Sequence, residues 1–487
     1  MTITGPAQTR GVVITPAEAA NEGVDHILDR LQGVGANAVA VSPGVFVPGT
    51  AEDGVREPPL DIDGEARVLD RPLWGRKVQY LRGFSPYVAD PDVWRDVPFA
   101  PPVAAPEELR VDYAEAVVNA ARLRGMRSFV VVSPTVLPGL PGGQSFTSGQ
   151  TRGLEEDLVV RVDGSTPTRF IAGQGCVNNP RVQALVRARL TDTLEHYPAA
   201  NGLFIDWAEY TCYLPEDIFT CFCRHCARVA DRNGFEWDEL RAGVTQIFEG
   251  LRDLTDRDLL RVIEGEPVSL MDGLATLAAV PEGARAAANE LLRFKAQSVV
   301  AFYASVQDLA TGLGSTLEMG ANGFAPPWNA VTGADFGALS SVLGAVRCKL
   351  FTFHWPMMTR WMGEWLVERS PQLSPRLVLD ATKALYQVPT SPEEERKGLE
   401  DYTMPGPDQP HPITMSALTA KLVEAKRQVA PSSRLEAYLH SYRPADELAR
   451  VLDATAASGA DGTWIQRYGY LSDRKMGVIR DAWLASG

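Results

Sequence analysis

Eight short apolar runs, separated by segments with helical periodicity, constrain the fold of this chain more than any other feature. They span residues 11–15, 38–43, 128–134, 202–207, 315–321, 346–355, 435–442 and 462–470. Most are rich in β-branched or aromatic residues, and a turn or a helical pattern follows each. Eight strand–helix units predict an α/β fold, a (β/α)8 TIM barrel, rather than an open doubly wound sheet. No G-x-G-x-x-G motif follows the first strand, which argues against a dinucleotide-binding domain.

Three long connections interrupt this alternation in what we predict to be a single barrel domain, residues 1–487. Residues 44–106 are rich in proline, glycine and charge, and residues 139–175 are rich in glycine and threonine. These loops follow strands two and three, so they are expected at the C-terminal rim, where barrel active sites lie. Residues 227–312 read as mostly helical and are predicted to form a helical insertion after strand four.

Charge and composition exclude several classes of partner. The formal net charge is −14, whereas nucleic acids and anionic membranes both require a basic surface. The first residues show no basic region followed by an apolar one, and no apolar run approaches the roughly 18 residues of a membrane span. We therefore expect a cytoplasmic protein that binds neither nucleic acid nor membrane.

Three cysteines follow the fourth strand in the pattern C-x-C-x-x-C: Cys221, Cys223 and Cys226. Such clustering suits a metal better than a disulfide framework. Zinc takes four ligands in a tetrahedron, and Cys176 is the predicted fourth; Cys212 and His225 are the alternatives. A set of four protein ligands leaves no open position, so a zinc here would be structural. The competing interpretation is a group of free thiols.

Two carboxylates stand at the end of the fourth strand, Asp206 and Glu209, beside Trp207 and Tyr210. Hydrolysis of a glycosidic bond needs a proton for the departing oxygen and a nucleophile or base, which two carboxyl groups supply. A semi-apolar aromatic setting raises a carboxyl pKa toward the value that a general acid needs. Glu209 is the predicted acid. Asp206 could orient a sugar hydroxyl, act as the partner acid or cap the following turn.

The second catalytic carboxylate has two candidates, Glu318 on strand five and Glu436 on strand seven. A glutamate inside an apolar strand is costly unless it is paired. Glu318 is therefore predicted either to act in the chemistry or to pair with Arg347 or Lys349. Glu436 lies at the beginning of its strand, whereas barrel active sites use the strand ends.

Aromatic and polar residues at the strand ends suit a sugar site, because tryptophan faces stack on the apolar faces of sugar rings. The residues predicted to contact substrate are Trp207, Tyr210, Trp328, His354, Trp355, His440, Tyr442 and Gln466.

The combination of C-V-N-N-P-R-V, a strand ending in E-Y, and C-F-C-R-H-C resembles the zinc-bearing β-galactosidases of glycoside hydrolase family 42 and related hypothetical glycosyl hydrolases. The resemblance covers Cys176 to Cys226. In that family an Asn-Glu pair ends strand four and its glutamate is the general acid/base, which implies that role for Glu209. Ala208 replaces the asparagine, which normally contacts the sugar 2-hydroxyl, so the sugar-binding mode is expected to differ.

We therefore predict a glycoside hydrolase-like enzyme with a structural zinc beside its active site, acting on a carbohydrate or glycoside. One alternative is a lyase or isomerase that transfers protons through His354, His440 and Tyr442. Another is a sugar-binding barrel without activity. By analogy with barrel glycosidases, a homo-oligomer formed through the rim loops is also expected.

Overall fold

Eight parallel strands close into a barrel in the computed structural model, which describes residues 8–60, 67–139, 153–167, 173–265, 269–390 and 398–484. The strands are β1 Thr9–Ile14, β2 Ala38–Val41, β3 Arg127–Val132, β4 Gly202–Ile205, β5 Glu318–Phe324, β6 Ala345–Leu350, β7 Arg434–His440 and β8 Gly462–Gln466. Neighbours in sequence pair around the barrel, and β8 closes it against β1. The predicted (β/α)8 architecture is confirmed.

Helices surround the barrel and connect its strands. They span Pro16–Glu22, Val24–Gly33, Pro91–Trp94, Tyr113–Leu123, Pro180–His196, Arg224–Arg232, Trp237–Gly250, Asp256–Gly265, Leu270–Leu277, Glu282–Gly312, Trp328–Val331, Phe336–Ser340, His354–Arg369, Pro375–Tyr386, Met415–Gln428, Ala445–Ala457 and Asp473–Leu484. The helix after β3 begins at Pro180 because Asn179 caps its N-terminus. Across the described ranges, no helix has the length and apolar character needed to cross a bilayer.

The connection after β2 builds a three-stranded antiparallel sheet, which we call the rim sheet. Its strands are Val45–Pro48, Val55–Glu57 and Gln79–Phe84, and the last of these lies in the centre. Glu57 ends an edge strand and is paired with Gln79. The rim sheet therefore gives rigid support to part of a segment that the sequence predicts only as a long loop.

Several strand boundaries differ from the prediction, and the one at the start of β5 matters for the site. β5 begins at Glu318, three residues later than expected, and β6 ends at Leu350, because a helix begins at His354. Glu318 is therefore the first residue of its strand rather than a residue of its interior.

A buried ion pair occupies the lower part of the barrel, which we call the barrel floor. Arg347 is fully buried; its Nε lies 3.0 Å from Glu436 Oε2, and its Nη1 donates to the Gly320 carbonyl. Its guanidinium carbon lies 4.0 Å from the centre of the Phe204 ring, and the Trp464 indole donates to Glu436. Glu436 is thus engaged in the barrel floor and does not lie at the C-terminal strand ends.

Replacing Arg347 by Met is expected to lower the free energy of unfolding by about 3 kcal/mol, because the buried Glu436 carboxylate loses its nearest charge partner and keeps only Arg434, at 3.7 Å, and the Trp464 indole. Urea unfolding measures the change. The matched control is the double variant Arg347→Met/Glu436→Gln, which should recover a large part of the loss. A single variant within about 1 kcal/mol of the wild type would contradict the prediction.

Candidate active site

A lysine and two carboxylates meet at the C-terminal end of the barrel, which we call the mouth. Lys349, near the end of β6, places its Nζ 2.8 Å from Asp206 Oδ1 and 2.7 Å from Glu209 Oε1. Asp206 directly follows β4, and Glu209 comes three residues later. We refer to these three residues as the carboxylate–lysine cluster.

The two carboxylates differ in their exposure. The Asp206 side chain is 18% exposed, whereas the Glu209 side chain is 2% exposed. Burial raises the pKa of Glu209, and the Asp206 charge raises it further. The Lys349 charge lowers it, but the pKa stays above its usual value. Glu209 therefore keeps its proton to a higher pH than a glutamate in water, which is what a general acid requires.

The backbone between these carboxylates adopts a rare conformation. Trp207 has a φ of 59°, in the left-handed region that a bulky residue seldom occupies. Its carbonyl accepts a hydrogen bond from Thr135 Oγ1, and its ring centre lies 4.7 Å from Lys349 Nζ. Backbone strain of this kind is concentrated at functional sites. The half-buried Trp207 ring lies beside the cluster.

Glu318 lies at the opposite end of the barrel, because it is the first residue of β5. It forms ion pairs with Arg127 and Arg434. The predicted pairing with Arg347 or Lys349 was wrong, since those residues bind Glu436 and the mouth carboxylates instead. This position separates Glu318 from the mouth.

Two of the predicted sugar-stacking residues are closed to solvent. Trp328 and Trp355 are buried, and their ring centres lie 5.2 Å apart. The buried Lys421 ammonium lies 4.5 Å from the Trp328 ring and 5.4 Å from the Trp355 ring. These tryptophans are packed in the protein interior, so they present no ring face to a substrate.

His440 ends β7 and is held as a neutral imidazole. The backbone N–H of Tyr442 donates to its Nδ1, at 3.0 Å, which places the ring proton on Nε2. Burial lowers the pKa of His440 well below its usual value. Its ring packs edge-on against Phe353, which also contacts His354. In this tautomer His440 offers a hydrogen-bond donor and not a base, which disfavours proton abstraction by this side chain.

The end of β8 carries a second polar group. Gln466 Oε1 accepts a hydrogen bond from the Tyr438 hydroxyl, at 2.7 Å. Arg467 follows, and its Nη2 lies 2.7 Å from Glu57 Oε1 of the rim sheet. The sequence places Arg467 beside Gln466 at the end of strand eight, where polar contacts are expected. It does not reveal Glu57 or the Glu57–Arg467 ion pair, because no local pattern predicts a pairing between segments so far apart in the chain.

Four buried cysteines form one cluster: Cys176, Cys221, Cys223 and Cys226. The Cys176 sulfur lies 3.5, 3.7 and 3.6 Å from those of Cys226, Cys221 and Cys223. A tetrahedron with Zn–S bonds of about 2.3 Å has edges of about 3.8 Å, so these spacings fit a metal with four sulfur ligands. The structure thus selects Cys176 as the fourth member, and Cys212 and His225 lie outside the cluster.

Neighbouring N–H groups donate hydrogen bonds to the sulfurs of the cluster. The donors are the N–H of Val160 to Cys221 (3.3 Å), the N–H of Cys226 to Cys223 (3.4 Å) and the Asn178 side chain to Cys226 (3.4 Å). The Tyr210 hydroxyl lies 3.9 Å from the Cys226 sulfur, and Tyr210 directly follows Glu209. The cluster is therefore in contact with the segment that carries the buried carboxylate.

No protein-family model and no curated protein matches this chain. Among solved structures, its fold is similar to the β-galactosidase of the haloarchaeon Halorubrum lacusprofundi, at 12% identity and a TM-score of 0.49, covering 98% of this chain and 58% of that one. The β-galactosidase of Bacillus circulans sp. alkalophilus gives 9% identity and a TM-score of 0.49, with 99% and 56% covered. The catalytic domain of the β-amylase of Paenibacillus polymyxa gives 8% and 0.42, with 99% of each chain covered. The chain spans little more than half the length of the two β-galactosidases, and the likeness concerns the fold.

Proposed function

We propose that this protein is a glycoside hydrolase-like enzyme that cleaves a glycosidic bond by carboxyl acid/base catalysis. The observation that carries the proposal is the carboxylate–lysine cluster at the mouth of the barrel, with one carboxyl buried and the other partly exposed. Barrel enzymes place their catalytic residues at this end of the strands.

Glu209 is the general acid in this proposal. Its raised pKa lets it carry a proton, which it gives to the departing glycosidic oxygen. Lys349 then stabilises the Glu209 carboxylate that this transfer leaves behind, since its ammonium contacts Glu209 Oε1. Asp206 is the more exposed group and accepts a hydrogen bond from a sugar hydroxyl. The Trp207 ring provides a face on which a sugar ring stacks.

We further infer that the cysteine cluster holds a structural zinc. Four thiolates at tetrahedral spacing complete the coordination shell, so no position is left for water or substrate. Cys176 precedes the helix after β3, and the other three cysteines follow β4. A zinc here joins two neighbouring loops of the mouth and fixes the segment of Tyr210 and Glu209.

Turnover of a panel of aryl α- and β-glycosides tests the function. Glu209→Gln should lower kcat/KM by about 10²–10⁴-fold on glycosides with poor leaving groups, because those oxygens need the proton. With dinitrophenyl glycosides the loss should be much smaller, since the leaving oxygen departs without protonation. Glu239→Gln, at an exposed position of the helix Trp237–Gly250, is the matched control and should retain full activity.

Three results would contradict the proposal. Wild-type protein that releases no aryl group from any glycoside would exclude the hydrolase function, and sugar binding in that case would indicate a barrel without activity. Glu209→Gln with unchanged turnover would exclude Glu209 as the acid. An equal loss on both classes of leaving group would show that its role is not proton donation.

A further inference from the structure

The strand order of the barrel sets Arg467 across the mouth from the carboxylate–lysine cluster. In a closed ring of eight strands, β8 lies four positions from β4 in either direction. Arg467 directly follows β8, and Asp206 directly follows β4. The two residues therefore stand on opposite walls of the same opening.

The rim sheet brings a carboxylate to Arg467. Glu57 ends the strand Val55–Glu57, and its Oε1 lies 2.7 Å from Arg467 Nη2. The two side chains are 10% and 14% exposed, respectively. Each is mostly enclosed while part of its surface remains open.

Tyr438 links the two walls. Its hydroxyl donates to Gln466, the residue before Arg467. Burial raises the pKa of Tyr438 well above its usual value; the charge of Asp206 adds to that rise and the charge of Arg467 opposes it. Tyr438 is thus within electrostatic reach of both groups.

The C-terminal end of β7 supplies no carboxylate to the mouth. β7 ends at His440, and Ser441 and Tyr442 follow it. Glu318 and Glu436, the candidates from the sequence, lie below the mouth. Glu57 instead comes from the rim sheet and is held beside Arg467 by their ion pair.

We propose that Glu57 is the second catalytic carboxylate of the site and serves as the base that activates water opposite Glu209. The inference rests on the proposed hydrolase function. Arg467 is the positioning residue that holds the Glu57 carboxylate at the opening.

The proton and electron balance of the step is that of a single displacement. Water gives a proton to Glu57 as its oxygen bonds to the anomeric carbon. The bond from that carbon to the leaving oxygen breaks, and the leaving oxygen takes the proton from Glu209. A water-activating base of this kind requires about 6.5–9.5 Å between the two carboxyl groups, so the proposal predicts a product of inverted configuration.

The test compares Glu57→Gln, Glu57→Ala and Glu52→Gln on the same aryl glycosides. Glu57→Gln should lose about 10³-fold in kcat/KM on every leaving group, including dinitrophenyl, because the base is needed however good the leaving group is. Glu52 is exposed in the same part of the chain, so Glu52→Gln should match the wild type. Sodium azide should restore turnover to Glu57→Ala and give a glycosyl azide of inverted configuration, which distinguishes a lost reacting carboxylate from a disturbed fold.

Several outcomes would overturn this inference. Activity of Glu57→Gln within about threefold of the wild type would do so, as would failure of azide to rescue a Glu57→Ala variant with native Tm. If NMR of the wild-type reaction shows a product with retained anomeric configuration, Glu57 cannot be the base that activates water. If Glu209→Gln shows the expected dependence on the leaving group while Glu57→Gln is fully active, only the Glu57 assignment fails. If the wild type shows no turnover, both the proposed hydrolase function and the Glu57 assignment fail.

Discussion

The Cys176→Ser variant is expected to contain well under one zinc per chain and to melt about 10 °C below the wild type. A structural zinc contributes its binding free energy to the folded state, and a hydroxyl in place of one thiolate breaks the tetrahedral set. The three remaining sulfurs, which lie within 4.8 Å of one another, would then be close together without a cation. Metal analysis of the purified protein and thermal unfolding measure the two effects.

Cys212→Ala is the matched control for that experiment. Cys212 is buried like the members of the cluster but lies outside it. Its removal should leave one zinc per chain and cost only the small amount expected for a trimmed core side chain. Full zinc content and native Tm in Cys176→Ser would refute the metal site, and so would wild-type protein with well under one zinc.

Lys349→Met is expected to lower kcat/KM by about 100-fold and to move the alkaline limb of its pH profile upward. The ammonium lowers the pKa of Glu209, so its loss leaves burial and the Asp206 charge to raise that pKa further. Glu209 would then be a weaker acid that stays protonated to higher pH. A purely structural role for Lys349 would lower the rate without moving the limb.

The same variant should change how stability depends on pH. A carboxyl whose folded pKa lies above its unfolded value stabilises the fold below the unfolded pKa, and this contribution is lost as the pH rises through the folded pKa. Because the raised pKa of Glu209 rises further without Lys349, the difference in Tm between variant and wild type should grow with increasing pH. Lys349→Arg is the matched control, since a guanidinium can bind both carboxylates and should restore the pH profile in large part. A constant difference in Tm across pH would argue against this coupling.

Local sequence patterns correctly predict the features of this molecule that repeat or lie close together in the sequence. The alternation of strands and helices predicted the barrel, and the spacing of Cys221, Cys223 and Cys226 predicted a shared cluster. Cys176 was the correct fourth member because barrel topology brings loops that follow neighbouring strands together. Asp206 and Glu209 were placed correctly at the end of β4 for the same reason.

The residues whose positions the sequence does not predict correctly are those fixed by strand boundaries or by contacts between distant segments. The sequence predicts Glu318 in the interior of β5, but the strand begins at this residue, and a shift of three positions moves its side chain from the middle of the strand to the N-terminal end of the barrel. Glu57 lies in a proline-rich connection whose folding into the rim sheet depends on pairing with Gln79. Its contact with Arg467 spans most of the chain, so only the closed barrel reveals it.

The burial of the cysteine cluster determines when a metal can enter it. All four sulfur ligands belong to buried residues, and the loops after β3 and β4 must both be in place to bring them together. An ion in this position cannot exchange with solvent unless those loops open. If the cluster holds the proposed zinc, loading would be an event of chain folding. Protein that folds under zinc starvation should then need unfolding and refolding, rather than simple addition of zinc, to take up the metal.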